Sequence, residues 1–245
     1  MPDCAKPGRT KQDRGTAPPY RFVIIPGSLE GGPVEPVASW LPGGVGEGDY
    51  VCCADGGYAR CLAEGIRPDI VIGDFDSEDP GAVRAAGIAV ETYPADKDET
   101  DTLLCVKYGL ASGYTRFTIV GGLGGEFSHT MANLQTLSFL TDLECEAEIV
   151  TARERLFMAD GEAVRVGFEP KPEAPAVFRG RPGAKFSVFS YAERSSGVVI
   201  QNAKYELEDA VLTQSYPIGA RNEFVNEKDV TASVHFGRLL IVAER

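Results

Sequence analysis

The sequence predicts a parallel α/β sheet followed by an all-β domain, and two observations carry that prediction. Over residues 20–150, short apolar runs alternate with segments of helical composition and spacing, and most runs end in glycine or aspartate. After about Val150 the helical period fades, and short β-rich runs separated by turns take over. The expected architecture is therefore an N-terminal Rossmann-like sheet over residues 20–150 and a C-terminal β-sandwich over residues 151–245.

The elements follow in order. Residues 22–25 form a first buried strand, closed by Pro26-Gly27-Ser28. Residues 50–54 form a second, ending at Asp55-Gly56-Gly57, and residues 58–64 have helical composition with Gly65 as the cap. A third strand over 69–72 ends in Gly73-Asp74-Phe75-Asp76-Ser77. A short helix over 80–86 and a fourth strand over 88–92 come next. Residues 100–110 make a strong helix, with Leu103, Leu104, Lys107 and Leu110 about one turn apart. A fifth strand over 117–120 runs into Gly121-Gly122-Leu123-Gly124-Gly125, and residues 130–140 form a further helix. In the second half, residues 186–189, 197–200, 230–235 and 239–242 read as strands. The last two are expected to pair as a closing hairpin around Gly237-Arg238, and a loop over 170–175 lies near the domain boundary.

Composition narrows the function classes. At 245 residues and 43% hydrophobic, the chain can build a sizeable core in one large domain or two small ones. A formal net charge of -12 repels phosphate backbones, so no nucleic-acid partner is expected. Six cysteines without a C-x-x-C pair, beside only two histidines, argue against zinc and against a disulfide framework. A reducing, cytoplasmic location fits that usage. No apolar run is long enough to span a membrane, so no membrane association is expected. Residues 1–19 lack the apolar core of a signal peptide and are basic and rich in proline and glycine, which predicts a flexible tail.

The chemistry-bearing residues sit at strand ends, where open parallel sheets bind their ligands. Three acidic motifs fall there: Asp55-Gly56-Gly57, Asp74-Phe75-Asp76, and Lys97-Asp98-Glu99-Thr100-Asp101. Any single aspartate of these would read as a turn residue or a helix cap. Three clusters at one sheet edge would repel one another unless paired, protonated or bound to a metal. Mg²⁺, a hard cation held by one or two carboxylates plus water and phosphate oxygens, suits such a set. Lys97 fits either a phosphate contact or a solvated loop, with the two readings even. The glycine run 121–125 between a strand and a helix lets backbone N–H groups approach phosphate, although glycines also mark plain tight turns. It is neither a Walker A loop nor a good dinucleotide fingerprint, so a nicotinamide enzyme fits poorly.

These elements, in this order, resemble the thiamine pyrophosphokinase family. The most specific matches are Gly73-Asp74-Phe75-Asp76-Ser77, Lys97-Asp98-x-Thr100-Asp101, and Gly124-Gly125 followed by His129-Thr130-Met131-Ala132-Asn133. Tyr205-Glu206-Leu207 and Asn222-Glu223-Phe224 extend the resemblance into the second half. It implies an ATP- and Mg²⁺-dependent transferase that moves the diphosphate of ATP to the thiamine hydroxyl and releases AMP. It also implies a homodimer with its active site between subunits. Carried over by position, Asp74, Asp76, Asp98 and Asp101 are the catalytic candidates, with Asp74, Asp76 and Asp101 as metal ligands. ATP would meet Asp55, Gly56, Lys97, Gly122, Gly124, Gly125 and His129, and thiamine would meet Arg221 and Asn222. Asn133 is expected only to stabilise its helix.

Three positions depart from the family pattern. The family reads Gly-Gly-Arg-x-Asp-His where this chain has Gly124-Gly125-Glu126-Phe127-Ser128-His129, and Arg221 replaces a serine before Asn222. An arginine grips phosphate bidentately, whereas Glu126 repels it unless it simply faces solvent. Arg221, arriving from the partner subunit's β-domain, is one way to restore the lost charge. The alternatives that remain open are a different acceptor alcohol and a catalytically silent ATP- or thiamine-binding homologue.

Overall fold

The computed structural model describes residues 20–27, 37–41, 43–46, 48–76, 79–161 and 175–245. The expected tail 1–19, Ser28, Ser77 and positions 170–174 of the expected boundary loop lie outside the described residues. The fold is mixed α/β. The chain clusters into two compact units, one running through Thr136 with Glu144–Glu146, the other comprising Leu137–Leu143 and Ala147–Arg245.

Among the described residues, the first unit carries five parallel strands: β1 (Phe22–Ile25), β2 (Tyr50–Ala54), β3 (Ile70–Gly73), β4 (Ala89–Thr92) and β5 (Arg116–Val120). They lie in the order β5-β1-β2-β3-β4. β1 and β3 are buried along their whole length, which is why they read as unbroken apolar runs rather than alternating ones. Among the described residues, three α-helices and a short 3-10 turn (Val37–Trp40) connect the strands: α1 (Gly57–Ala63), α2 (Pro80–Ala85) and α3 (Asp101–Ala111). Asp79 caps α2, accepting from the Gly81 N–H at 2.8 Å with Pro80 in the first turn, and Thr100 Oγ1 caps α3 by accepting from the Leu103 N–H at 3.2 Å. After β5, α4 (Phe127–Asp142) starts three residues earlier than the spacing predicts, because the Glu126 carbonyl already accepts from the His129 and Thr130 N–H groups. Cys52, Cys53, Cys61 and Cys105 are core residues, and the Cys53 and Cys61 sulfurs lie 3.0 Å apart.

The second unit is antiparallel. Strands β6 (Glu146–Val150), β7 (Glu154–Asp160), β14 (Arg238–Glu244), β9 (Lys185–Ser190) and β12 (Asn222–Glu223) neighbour one another in that order. A separate four-stranded sheet runs β11 (Leu207–Thr213), β10 (Arg194–Gln201), β13 (Val230–Ser233), β8 (Ala176–Phe178). Alternation decides which side chains go inward: along β9, Phe186, Val188 and Ser190 are buried while their neighbours are half-exposed. One apolar cluster takes Phe186 and Val188 from β9 and Leu239 and Ile241 from β14. It takes Val198 and Ile200 from β10 and Phe178 from β8, so both antiparallel sheets share it. Phe178 meets Phe186 and Phe224 edge-on, with centroids 5.2 and 5.9 Å apart. Arg238, the first residue of β14, reaches Asp160, Asp142 and Ser138 from a buried position.

The expected closing hairpin around Gly237-Arg238 does not form. β13 pairs with β10 and β8, whereas β14 pairs with β7 and β9. The linking residues bond elsewhere, with the His235 and Phe236 N–H groups both donating to the Ser196 carbonyl at 3.1 Å. The glycine marked a passage from one sheet to the other, and alternation alone does not name a strand's partner. Among the described residues, no helix is long and apolar enough to cross a membrane.

Candidate active site

The site is built where β2 and β3 end. Asp55 follows β2 with φ 29, is 8% exposed, and donates its N–H to the Ile72 carbonyl at 2.8 Å. Gly73, the last residue of β3, lies so near that a Cβ added there would stand 2.7 Å from the Asp55 Cβ. Glycine is therefore required by close approach. Phe75, with φ 58, turns the chain sharply between Asp74 and Asp76. Carboxylate oxygens of Asp55, Asp74 and Asp76 consequently fall within 4.8 Å of one another. Three convergent carboxylates form an all-oxygen donor set of the kind that fits a hard divalent cation such as Mg²⁺.

Lys97 and Asp101 stand beside this group. Lys97 Nζ lies 3.1 Å from Asp101 Oδ1 and 3.7 Å from Asp74 Oδ2, with only 12% of its side chain exposed. Burial works to lower the Lys97 pKa, but the bonds and charges of Asp101 and Asp74 outweigh it and hold the ammonium above its ordinary range. Asp101 opens α3, where a carboxylate also favours the helix dipole. The metal set expected from the sequence was Asp74, Asp76 and Asp101. Here Asp74 and Asp76 meet with Asp55, while Asp101 is engaged by Lys97. Asp98 is exposed and belongs neither to the carboxylate group nor to the cavity wall.

The glycine turn after β5 is tied to the site through Asn133, although Gly122, Gly124 and Gly125 do not themselves line the cavity. Gly122 adopts φ +75, and its carbonyl accepts from Asn133 Nδ2 at 2.7 Å. Asn133, buried in α4, thus holds the turn in place, which is more than the helix-stabilising role expected of it. Thr130 Oγ1 accepts from the Gly124 N–H at 3.1 Å. Glu126 precedes α4 with an 80% exposed side chain, and His129 Nε2 lies 3.8 Å from its Oε2. Ser128 Oγ reaches the same oxygen at 3.4 Å.

A cavity of about 440 Å³ is walled by Pro26, Gly27, Asp55 and Gly56 on the β1 and β2 ends, and by Lys97, Thr100, Asp101, His129 and Asn133. It opens where β1 lies between β5 and β2, so the chain leaves the sheet in opposite directions on its two sides. Pro26 and Gly27 were read from the sequence only as the close of β1. Their position at a strand end beside this switch was the available signal.

Arg221 and Asn222 lie in the second unit. Arg221 is exposed with φ 59, and its N–H donates to Ser187 Oγ at 3.0 Å. The buried Asn222 carboxamide accepts from the Tyr205 N–H at 3.0 Å and donates to the Tyr205 carbonyl at 2.7 Å. Asn222 therefore pins the Tyr205 backbone beside Arg221.

Residues 45–149 match the family described as thiamin pyrophosphokinase, catalytic domain. A curated relative, thiamine pyrophosphokinase of Bacillus subtilis strain 168, is 34% identical over 86 residues, a match spanning 34% of this chain and 40% of the relative. The crystal structure of thiamine pyrophosphokinase from Bacillus subtilis superposes with a TM-score of 0.72 at 21% identity, covering 92% of this chain and 98% of that one. Its counterpart from Geobacillus thermodenitrificans gives 0.70 at 20% identity, covering 92% and 97%. At these identities the structural likeness shows the fold.

Proposed function

We propose that this chain, whose residues 45–149 match the thiamin pyrophosphokinase catalytic-domain family, transfers the diphosphate of ATP to the hydroxyl of thiamine, giving thiamine diphosphate and AMP. The observation that carries the reading is the convergence of Asp55, Asp74 and Asp76 within 4.8 Å beside a largely buried lysine. Residues 20–150 are read as a Rossmann-like ATP-binding domain. Residues 151–245 are read as a thiamine-binding β-sandwich, supported by the apolar core its two sheets share.

The roles follow from charge and position. Asp74 and Asp76, with Asp55, would hold Mg²⁺, which when bound offsets negative charge on the phosphate oxygens. Gly122, Gly124 and Gly125 present backbone to the phosphates, kept in shape by Asn133 and Thr130. The Lys97 ammonium faces the same space, and Gly56 leaves room on the β2 side. The thiamine hydroxyl oxygen bonds to the β-phosphorus, the bond from that phosphorus to the bridging oxygen breaks, and AMP leaves with that oxygen. A carboxylate takes the hydroxyl proton; Asp101, which lines the cavity, is placed for it, whereas Asp98 stands outside the cavity wall. Orientation inside the cavity supplies much of the acceleration. The enzyme is read as a cytoplasmic homodimer. Free thiols at every described cysteine fit a reducing compartment, and Phe127, 75% exposed on α4, offers apolar surface to a second copy.

A second reading keeps Mg²⁺ and ATP but changes the acceptor. It is favoured by the exposed Glu126 where the family carries an arginine, and by Arg221 beside Asn222. Incubation with ATP, Mg²⁺ and thiamine separates the two. Formation of AMP and thiamine diphosphate, abolished by Asp74→Asn, supports the first. ATP binding without AMP release in the presence of thiamine overturns it.

A further inference from the structure

Lys97 contacts a carboxylate that a bound metal ion would also use. The Lys97 ammonium spans two aspartates, 3.1 Å from Asp101 Oδ1 and 3.7 Å from Asp74 Oδ2. Asp74 is also one of the three residues whose carboxylate oxygens gather within 4.8 Å. A divalent cation placed in that group would sit near a fixed positive charge, and like charges at such range repel. Lys97 lines the cavity, and its flexible stem lets the ammonium turn to an anion arriving there. A polyphosphate brings several anionic oxygens and removes the reason for Lys97 to stay on Asp74.

We propose that Lys97 is the resident counterion of Asp74 and Asp101 in the metal-free chain and transfers to the phosphates of an arriving nucleotide, so that metal and nucleotide bind cooperatively through this one side chain. The inference rests on the Mg²⁺ and ATP reading given above. Its consequence has two opposite signs. Without Lys97 the carboxylates bind a cation better on their own, while the nucleotide binds worse. A lysine that only contacts phosphate yields the second effect alone. A purely structural ion pair yields weaker binding of both. Coupling between the ligands is reciprocal, so it is read equally from either side.

The test uses Mn²⁺ as the metal, with the free ion counted by its paramagnetic resonance signal, and α,β-methylene-ATP as the uncleaved nucleotide. Wild type, Lys97→Met, Lys97→Gln and Lys97→Arg are titrated with and without nucleotide, after melting curves establish that each is folded. From the removal of one like charge at this range, Lys97→Met and Lys97→Gln are expected to bind Mn²⁺ about 3- to 10-fold tighter without nucleotide. They are also expected to bind the nucleotide more weakly, with a smaller gain in Mn²⁺ affinity when it is added. Lys97→Arg, which keeps the charge, is expected to stay near wild type for Mn²⁺. Equal or weaker Mn²⁺ binding by the neutral variants, with saturable binding in all, overturns the transfer and leaves the active-site reading standing. No saturable Mn²⁺ binding in any variant overturns the metal site and the transfer together.

Discussion

The Arg238 guanidinium closes on the Asp160 carboxylate through two bonds, Nε to Oδ1 at 2.5 Å and Nη2 to Oδ2 at 2.8 Å, with both side chains only 4% exposed. Nη2 also reaches Asp142 Oδ1 at 2.6 Å, and Nη1 donates to the Ser138 carbonyl at 3.1 Å. Removing one partner of a buried pair leaves the other charge uncompensated. Arg238→Met is therefore expected to cost about 3–5 kcal/mol. The double variant Arg238→Met with Asp160→Leu should recover part of that loss. Chemical denaturation of the three proteins checks both statements, and a double variant no better than the single would show that the pair does not act as a unit.

Gly73 is expected to tolerate no side chain without moving Asp55. A Cβ there would lie 2.7 Å from the Asp55 Cβ, well inside contact distance. Gly73→Ala should lower Mn²⁺ affinity about 10-fold or more by displacing one carboxylate of three. The change sits at the end of β3, so the protein should still fold. Metal titration beside a melting curve separates the two effects.

Glu126→Arg is expected to improve nucleotide binding. The side chain is 80% exposed and stands before α4, where the family pattern carries a cation. Exchanging a carboxylate for a guanidinium should lower the KM for ATP about 3-fold or more, through charge-assisted contact with phosphate. Melting should be unchanged, since exposed substitutions seldom matter to stability. An unchanged KM would show that this position does not meet the phosphates.

Asp49 sets part of the acid limb of stability. Burial alone would raise its pKa, but bonds from Arg21 and the Gly46 N–H outweigh that and hold the carboxyl below its ordinary value of 3.8. Arg21 Nη2 lies 2.6 Å from Oδ2, and the Gly46 N–H donates to the same oxygen at 2.8 Å. A folded pKa below the unfolded one gives stability that is present above about 3.8 and fades as pH falls through the folded value. Asp49→Asn should cost about 1–2 kcal/mol at neutral pH and converge on wild type in strong acid. Denaturation across that range checks the sign.

β1, β2, β3 and β5 were legible because they are buried along all or nearly all of their length and run into turns that carry glycine or aspartate, whereas β4 is only half-buried and showed itself as a short apolar run after a helix. The aspartates were legible for the same reason: Asp55, Asp74 and Asp76 follow strand ends, and strand ends converge. β11 gave no such signal, since Glu208, Asp209 and Val211 are exposed and its alternation is weak. β6 and β7 were likewise obscured by charges along Glu146–Val150 and Glu154–Asp160. The start of α4 was missed because Phe127-Ser128-His129 carries no acidic residue in the first turn. The partner of Lys97 and the grip of Asn133 on Gly122 depend on how loops fold back, which spacing along the chain does not encode.

The paired thiols of Cys53 and Cys61 give the protein an internal reporter of its own breathing. The hydrogen bond to Cys61 and then burial hold the Cys53 thiol well above its ordinary pKa, so that sulfur presents almost no thiolate in the folded chain. An alkylating reagent must wait until α1 lifts away from β2, and the rate of modification counts those excursions. Cys53 and Cys61 both lie in the first compact unit, and labelling followed at these two buried sulfurs, apart from the half-buried Cys145, reads that unit. Asp55 follows Cys53 by two residues on the same strand end, and a ligand that fastens the carboxylates there should slow the labelling of a sulfur it never touches.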